Sequence, residues 1–381
     1  MTAMADGSAG AVLRALLELG PAPRSSIARH AGISPATVTW QTRALLEAGL
    51  IVELPETAGA SGIGRPHSPL ALNTADNVAV AVHIAATHTT VAVVDIGGTL
   101  RRTTKVPHPT HAPYDILATA AAEVCRVRDE SDGLRIVGSG VATGGRVDRT
   151  AGSVVDHSFL RWRDVPVREY LAARTGLPTQ LDSHTRALMH AEQLFGRMGA
   201  TASSVVLFVG NVIDVAIAVH GQVHYGPRSG AGSIESLLGL GAGKSAGPQG
   251  VSSLDDYYSD HALLERCGVA STMPELVAMA AEGAPVRGLF LERARVLGRV
   301  VAALIDLLDP ESVVVVDRGR RVGGVWEAYL AAVRDHSLLC ADPAELVVGS
   351  SFEGRVLEMS AGAVVLHGLF HTPLRALEAA V

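Results

Sequence analysis

The sequence predicts an α/β protein of two units: a winged helix-turn-helix in residues 1–73 and a larger body of alternating strands and helices in residues 74–381. Three observations predict it. The chain of 381 residues exceeds the ~250–300 at which a single hydrophobic core stops growing. Its first seventy residues show helical periodicity broken by turn chemistry and end in a short hairpin. From Asn77 onward, Val-rich runs alternate with Ala-rich helical stretches.

The elements follow in order. Residues 9–19 carry Val12, Leu13, Leu16, Leu17 and Leu19 at helical spacing, and Gly20-Pro21 stops them. Ser25 or Ser26 is expected to cap a short helix through Ile27 and Ala31, with Gly32 as the turn. Ser34-Pro35 opens a third helix carrying Val38, Ala44, Leu45 and Leu46, which Gly49 ends. Leu50–Leu54 and Pro69–Leu72 read as the two strands of a wing, joined by a loop of Gly, Ala and Ser that leads into Arg65-Pro66. Thr74–Asp76 reads as a linker. Strands are then expected at 78–84, 90–96 and 100–106, forming an antiparallel trio, and at 136–142, 205–209, 215–219 and 313–316. Helices are expected near 115–126, 185–196 and 291–308.

Composition narrows the function. Apolar residues make up 48% and aromatic residues only 4%, which suits a soluble fold rich in Ala, Val and turns. The net charge of −6 excludes a protein that coats nucleic acid over its whole surface, but leaves room for one small reading module. Cys125, Cys267 and Cys340 are too far apart for a CxxC zinc site or a disulfide framework. No charged-then-apolar leader opens the chain and no apolar run reaches the ~20 residues of a membrane span, so a cytoplasmic protein is expected.

On the third helix, Ala36, Thr37, Thr39, Trp40 and Arg43, with Ser34 at its cap, are expected to face the major groove of double-stranded DNA, while Val38, Leu45 and Leu46 face the core. Arg65 in the wing is placed to reach the adjacent minor groove, its alternative being a solvated hairpin charge. The alternative for the unit as a whole is a winged helix that binds protein. Arg14, Arg24, Arg29, Arg43 and Arg65 are balanced by Asp6, Glu18, Glu47, Glu53 and Glu56. One copy would therefore bind weakly, and a homodimer or homotetramer is expected to supply the remaining phosphate contacts.

Further landmarks fall in order: GRPHSPLALN, GVATGGRVD (140–148), WRDVPV (162–167), EQLFG (192–196), HGQVHYG (220–226) and LIDLLDPESVVVV (304–316). With the preceding SPATVTWQTRALLEAGLI, they resemble the ROK family of repressors, open reading frames and kinases over nearly the whole chain. The resemblance implies a two-lobed body of the actin and hexokinase type, which is ribonuclease H-like. It also implies a regulator that binds a pseudo-palindromic operator and a tie to carbohydrate metabolism.

The resemblance further implies that kinase chemistry has been lost. DIGGT (95–99) matches the family's first phosphate loop in letters, yet it lies between the second and third strands of the body, whereas that loop follows the first. The positional equivalent is HIAAT, His83–Thr87, which lacks a carboxylate for magnesium and adds two methyl groups where glycine backbone should approach phosphate. The second phosphate loop becomes GNVIDVA, Gly210–Ala216, with Asp214 toward the phosphates. The Asn-Asp pair holding the general base becomes Ser183-His184. GExGH becomes GSIES, so Ser233 and Ser236 replace its Glu and His; a sugar-contacting Asn falls at Phe159, and a Glu beyond the zinc loop at Asp255. The zinc loop itself holds no cysteine, and neither metal nor cofactor is expected.

These replacements make His83, Phe159, Ser183, His184, Asp214, Ser233, Ser236 and Asp255 the lining of a candidate effector cleft, with Asp182 beside the two histidines. Each histidine alone is more often a hydrogen-bonded structural residue than part of a new metal or catalytic site. The leading expectation is a transcriptional repressor with an inactive kinase-like body that oligomerises and senses a small molecule. An ATP-dependent sugar kinase with an accessory winged helix is the alternative, and a pure protein-interaction module is a third reading.

Overall fold

The computed structural model describes residues 2–55, 68–199, 201–234 and 253–378. The N-terminal head is built from α1 (Thr2–Leu19), α2 (Arg24–Ala31), α3 (Pro35–Glu47), β1 (Ile51–Glu53) and β2 (Leu70–Leu72), with β1 and β2 antiparallel in the register Ile51 opposite Leu72. Ser34 caps α3 by accepting the Thr37 N–H, Pro35 occupies the first turn, and Gly32 and Gly49 take the left-handed conformation that lets each helix turn away. The expected serine cap of α2 is corrected. The helix begins at Arg24, with Pro23 as its N-cap and no side-chain cap, because the Ser26 and Ile27 N–H groups already bond to the Pro23 carbonyl.

The body contains two sheets of matching design. In the first lobe, β3 (Asn77–Ile84), β4 (His88–Asp95) and β5 (Leu100–Pro107) form an antiparallel meander. After α4 (Pro113–Asp129), β6 (Arg135–Thr143) pairs parallel to β3. A small antiparallel sheet follows, made of β7 (Arg146–Asp148), β8 (Ser153–His157) and β9 (Trp162–Val165). Then α5 (Val167–Thr175) leads to β10 (Thr179–Ser183), which completes the order β10-β6-β3-β4-β5, and α6 (His184–Phe195) leaves the lobe.

The second lobe repeats the plan with β11 (Ser203–Val209), β12 (Ile213–Val219) and β13 (Gln222–Val223) as its meander. Beyond α7 (Leu254–Tyr258), α8 (Asp260–Cys267), α9 (Met273–Glu282) and α10 (Ala284–Leu308) come β14 (Ser312–Asp317), α11 (Val325–His336), α12 (Pro343–Leu346) and β15 (Val347–Gly349). The order is β13-β12-β11-β14-β15, with β14 and β15 parallel to β11. The central strands β3, β4 and β14 are almost wholly buried because helices cover both faces, which explains their continuous Val-rich runs, whereas the edge strand β5 is largely exposed.

Helix α13 (Val356–His371) returns to the first lobe and packs across its sheet, followed by α14 (Pro373–Glu378). Gly140 is required beneath it, since a Cβ there would lie 2.1 Å from the Ala361 carbonyl. One apolar core runs from Val12, Leu16 and Leu45 of the head into Leu366, Leu369 and Phe370 of α13, so head and first lobe share buried surface. Among the described residues no helix is long and apolar enough to cross a membrane.

Candidate DNA-reading surface and interlobe cleft

The exposed face of α3 is formed by Ala36, Thr39, Trp40, Arg43 and Glu47, at the spacing of one helical stripe. Val38 and Leu45 are fully buried on the opposite face, with Leu46 partly buried against them. Trp40 is 57% exposed, an unusual position for a large aromatic ring with no described partner to cover it. The hydroxyls on this face are already engaged: Ser34 with Thr37, and Thr39 with the Pro35 carbonyl. Trp40 and Arg43 are therefore the long side chains left to reach outward, and the Arg43 pair with Glu47 is solvent-exposed on both sides. Arg65 lies outside the described residues.

The arginines of the head divide in a way their sequence balance did not show. Arg14 donates to the Phe370 carbonyl at 2.8 Å, Arg24 pairs with Glu53, and Arg43 pairs with Glu47. Arg29, exposed on α2, has no hydrogen-bond or ion-pair partner among the described residues, which leaves its charge fully available. Sequence reasoning counted it but did not single it out. The only signal was its position on the helix preceding the recognition helix.

The head is bolted to the first lobe at the end of α3. From β6, Arg135 donates to the Ala48 carbonyl and to Asn77 Oδ1, both at 2.6 Å, while the Asn73 and Asn77 amides each donate to the Gly49 carbonyl at 3.0 Å. The last carbonyls of a helix lack intrahelical partners. Here side chains of the body supply them, so the recognition helix follows the first lobe.

DIGGT occupies the β4–β5 hairpin. Asp95 accepts the Gly97 and Thr99 N–H groups and the Arg101 guanidinium, and Gly97 lies against Thr74. It is a structural turn beside the head. The eight residues of β3 separate it, by roughly 25 Å, from the cleft end of the strand where HIAAT sits.

At that end the lobes meet. His83 on β3 stacks against His184 at the start of α6, with ring centroids 5.9 Å apart and planes within 6°, and His184 packs on Phe208 of the second lobe at 4.2 Å. Both nitrogens of His83 are buried without a partner, and burial together with the nearby His184 holds its pKa well below the usual imidazole range. The ring is neutral there. His184 Nε2 is 3.4 Å from Asp214 Oδ1, which also receives the Thr185 hydroxyl. Ser183 caps α6, Ser233 meets Asp214 in an isolated β-bridge, and Asp255 accepts the Ile213 N–H at 2.7 Å. Phe159 packs edge-on against His261 of α8 at 5.3 Å and so spans the lobes. Ser236 and most of the loop that replaces the zinc site lie outside the described residues.

The expected place of Asp182 in this cluster is corrected. Its Oδ1 accepts the buried Arg186 guanidinium at 2.9 Å and its Oδ2 the Tyr225 hydroxyl at 2.9 Å, because Asp182 ends β10 just before α6 and Arg186 in the first turn of that helix reaches back to it. Beside the histidines a cleft of about 240 Å³ opens between Gly145, Arg146, Asp156 and Ser158 on one lobe and Val212, Ile213, Asp214 and Ser233 on the other. Among the described residues no group of three His, Cys, Asp or Glu side chains is placed to hold a metal ion.

The ROK family pattern matches residues 79–347, and a winged helix-turn-helix DNA-binding pattern matches residues 6–52. The chain belongs to the ROK family. A Mycobacterium tuberculosis protein named as a transcriptional regulator is 35% identical over 395 aligned positions, covering 98% of this chain and 88% of that one. A solved ROK family transcriptional regulator, described as a homologue of Escherichia coli Mlc, superposes with a TM-score of 0.80 at 22% identity, covering 98% of this chain and 99% of the other. A ROK family glucokinase from Streptomyces griseus superposes with a TM-score of 0.61 at 21% identity, covering 75% of this chain and 98% of its own. The head and the two-lobed body thus share the fold of a ROK regulator, and the body alone shares that of a ROK sugar kinase.

Proposed function

We propose that this ROK protein is a DNA-binding transcriptional repressor, acting as a homodimer or homotetramer, whose body senses a small molecule and does not transfer phosphate. The observation that carries the reading is the exposed Trp40 and Arg43 face of α3, on a helix whose C-terminal end is hydrogen-bonded to the body through Arg135. Because the head follows the first lobe, closure or opening of the lobes on an effector alters the spacing of two heads on a pseudo-palindromic operator.

The cleft supports the second half of the proposal. A kinase needs a carboxylate to hold magnesium, a carboxylate base on the sugar hydroxyl, and glycine backbone around the phosphates. The equivalent positions present two buried imidazoles, His83 and His184, with Asp214 and the buried Val212 on the facing strand. The cleft of about 240 Å³ offers room for a small effector. Arg146, Asp156, Ser158, Asp214 and Ser233 would surround it, with the buried His184 behind Asp214.

Selection from random duplex oligonucleotides by the purified chain, followed by fluorescence anisotropy, should enrich a pseudo-palindrome with half-sites whole helical turns apart. No enriched sequence would remove the regulator reading in favour of a protein-binding role. In parallel, ATP with a panel of hexoses should give no phosphorylated product, and turnover would reinstate the kinase. A promoter fusion should be derepressed when the gene is deleted; lowered expression would reverse the sign.

A further inference from the structure

A second and larger cavity, of about 440 Å³, lies outside the interlobe cleft, between the loop after β7 (Asp148, Arg149, Thr150) and the loop after β13 (Tyr225–Ser229). Its construction is specific. The buried Arg186 donates to the Ser229 carbonyl from one guanidinium nitrogen and to the Val147 carbonyl from another, each at 3.2 Å, and so ties the two walls together. The Tyr225 ring forms the floor, with the Arg149 guanidinium 5.3 Å from its centre and that of Arg186 at 5.2 Å. Its hydroxyl donates to Asp182 and accepts from Arg149 at 3.1 Å; His190 Nε2 lies at 3.0 Å, so the three partners fix the ring in place.

The charge of the mouth is unbalanced. Neither Arg149 nor Arg228 has a carboxylate partner among the described residues, and Arg228 makes no hydrogen bond to any of them. The one carboxylate in the lining, Asp148, turns its Oδ1 back to the Thr150 and Ala151 N–H groups of its own loop. Two guanidiniums, which can only donate, share this lining with the Thr150 and Ser229 hydroxyls, a donor set that suits the oxygens of an anion.

We propose that this mouth is a second ligand site, for a small dianionic molecule such as a phosphate monoester or a dicarboxylate, gripped by Arg149 and Arg228. The site does not depend on the regulator reading, and its test needs no DNA. Isothermal titration of the full chain with inorganic phosphate, and separately with succinate, at ionic strength held constant with chloride, should give saturable binding of at least one of them. The anion that binds identifies which of the two chemistries the site takes. Arg228→Gln should weaken that binding about tenfold. Arg149→Gln should weaken it at least as much. Since Arg228 is exposed and makes no hydrogen bond or ion pair among the described residues, an unchanged melting curve will show that the loss is local. Heats no greater than the chloride control for both anions, or variants that bind as the parent does, would overturn the assignment.

Discussion

Arg135 and Ala48 lie 87 residues apart, yet the guanidinium of one donates to the carbonyl of the other at 2.6 Å and fixes the end of the recognition helix to the central sheet of the first lobe. The same side chain bonds Asn77, whose amide holds Gly49, so one cluster ties the end of α3 to the lobe.

Arg135→Met keeps the aliphatic stem and removes the donors. It should cost about 1–3 kcal/mol in urea denaturation, because the Ala48 and Gly49 region loses charge-assisted bonds. Operator affinity should fall as well. Full stability with full affinity would show that the head is held by apolar contact alone.

The free charge on α2 gives a different signature. In helix-turn-helix units the first helix of the motif crosses the DNA backbone. Arg29→Ala should weaken binding to all sequences alike and reduce the slope of log affinity against log salt by about 1. Arg43→Ala, on the base-facing stripe, should cost selectivity at one position in the half-site while changing stability by less than about 0.5 kcal/mol. A salt slope unaltered by loss of Arg29 would remove that contact.

The seat of α1 on α13 has no spare room. A Cβ on Gly10 would lie 2.5 Å from the Phe370 carbonyl and 2.7 Å from that of His371. Gly10→Ala gains helix propensity but should still destabilise the chain by about 1–3 kcal/mol, because the backbone of one helix must shift from the other. A raised melting temperature would show that the two helices separate freely.

Acid should loosen the same region. His190 and His367 pack with ring centroids 3.8 Å apart, and His371 follows at 4.8 Å from His367. Burial, then the nearby Arg149 charge, pushes His190 down to about 3, and burial, then the neighbouring His190 ring, depresses His367 as well. Both are neutral in the fold. The unfolded chain protonates them below about 6.5, so their contribution is intact above that pH and is lost as pH falls toward the folded values, by about 1.4 kcal/mol per unit for each. Urea denaturation between about pH 7 and 5 should show this decline, and His367→Phe should flatten it by that increment. An unflattened slope would place the proton uptake elsewhere.

Much of the site was legible because its signals are local. Ser34-Pro35, Gly32 and Gly49 mark the ends of the head helices by capping and left-handed turns, and the apolar spacing of α3 assigned its outer face correctly. The order of strands showed that DIGGT is the β4–β5 hairpin and not the loop that follows the first strand of the body. The same reasoning misplaced Asp182, since its partner Arg186 is buried only once the Tyr225 loop closes over it, and it missed the start of α2, where backbone bonds to Pro23 made a serine cap unnecessary.

The sequence by itself determined the helices and turns of the head and the long central strands of both sheets, because these depend on periodicity and on side chains within a few positions of one another, whereas β7 to β9, β13 and β15 are too short to show a period. The tertiary structure alone decided that Arg135 reaches Ala48, that Gly10 sits under Phe370 and that Arg29 has no counter-charge among the described residues. Those pairings join residues brought together by packing of the shared core, and a contact between distant positions leaves no periodic trace along the chain.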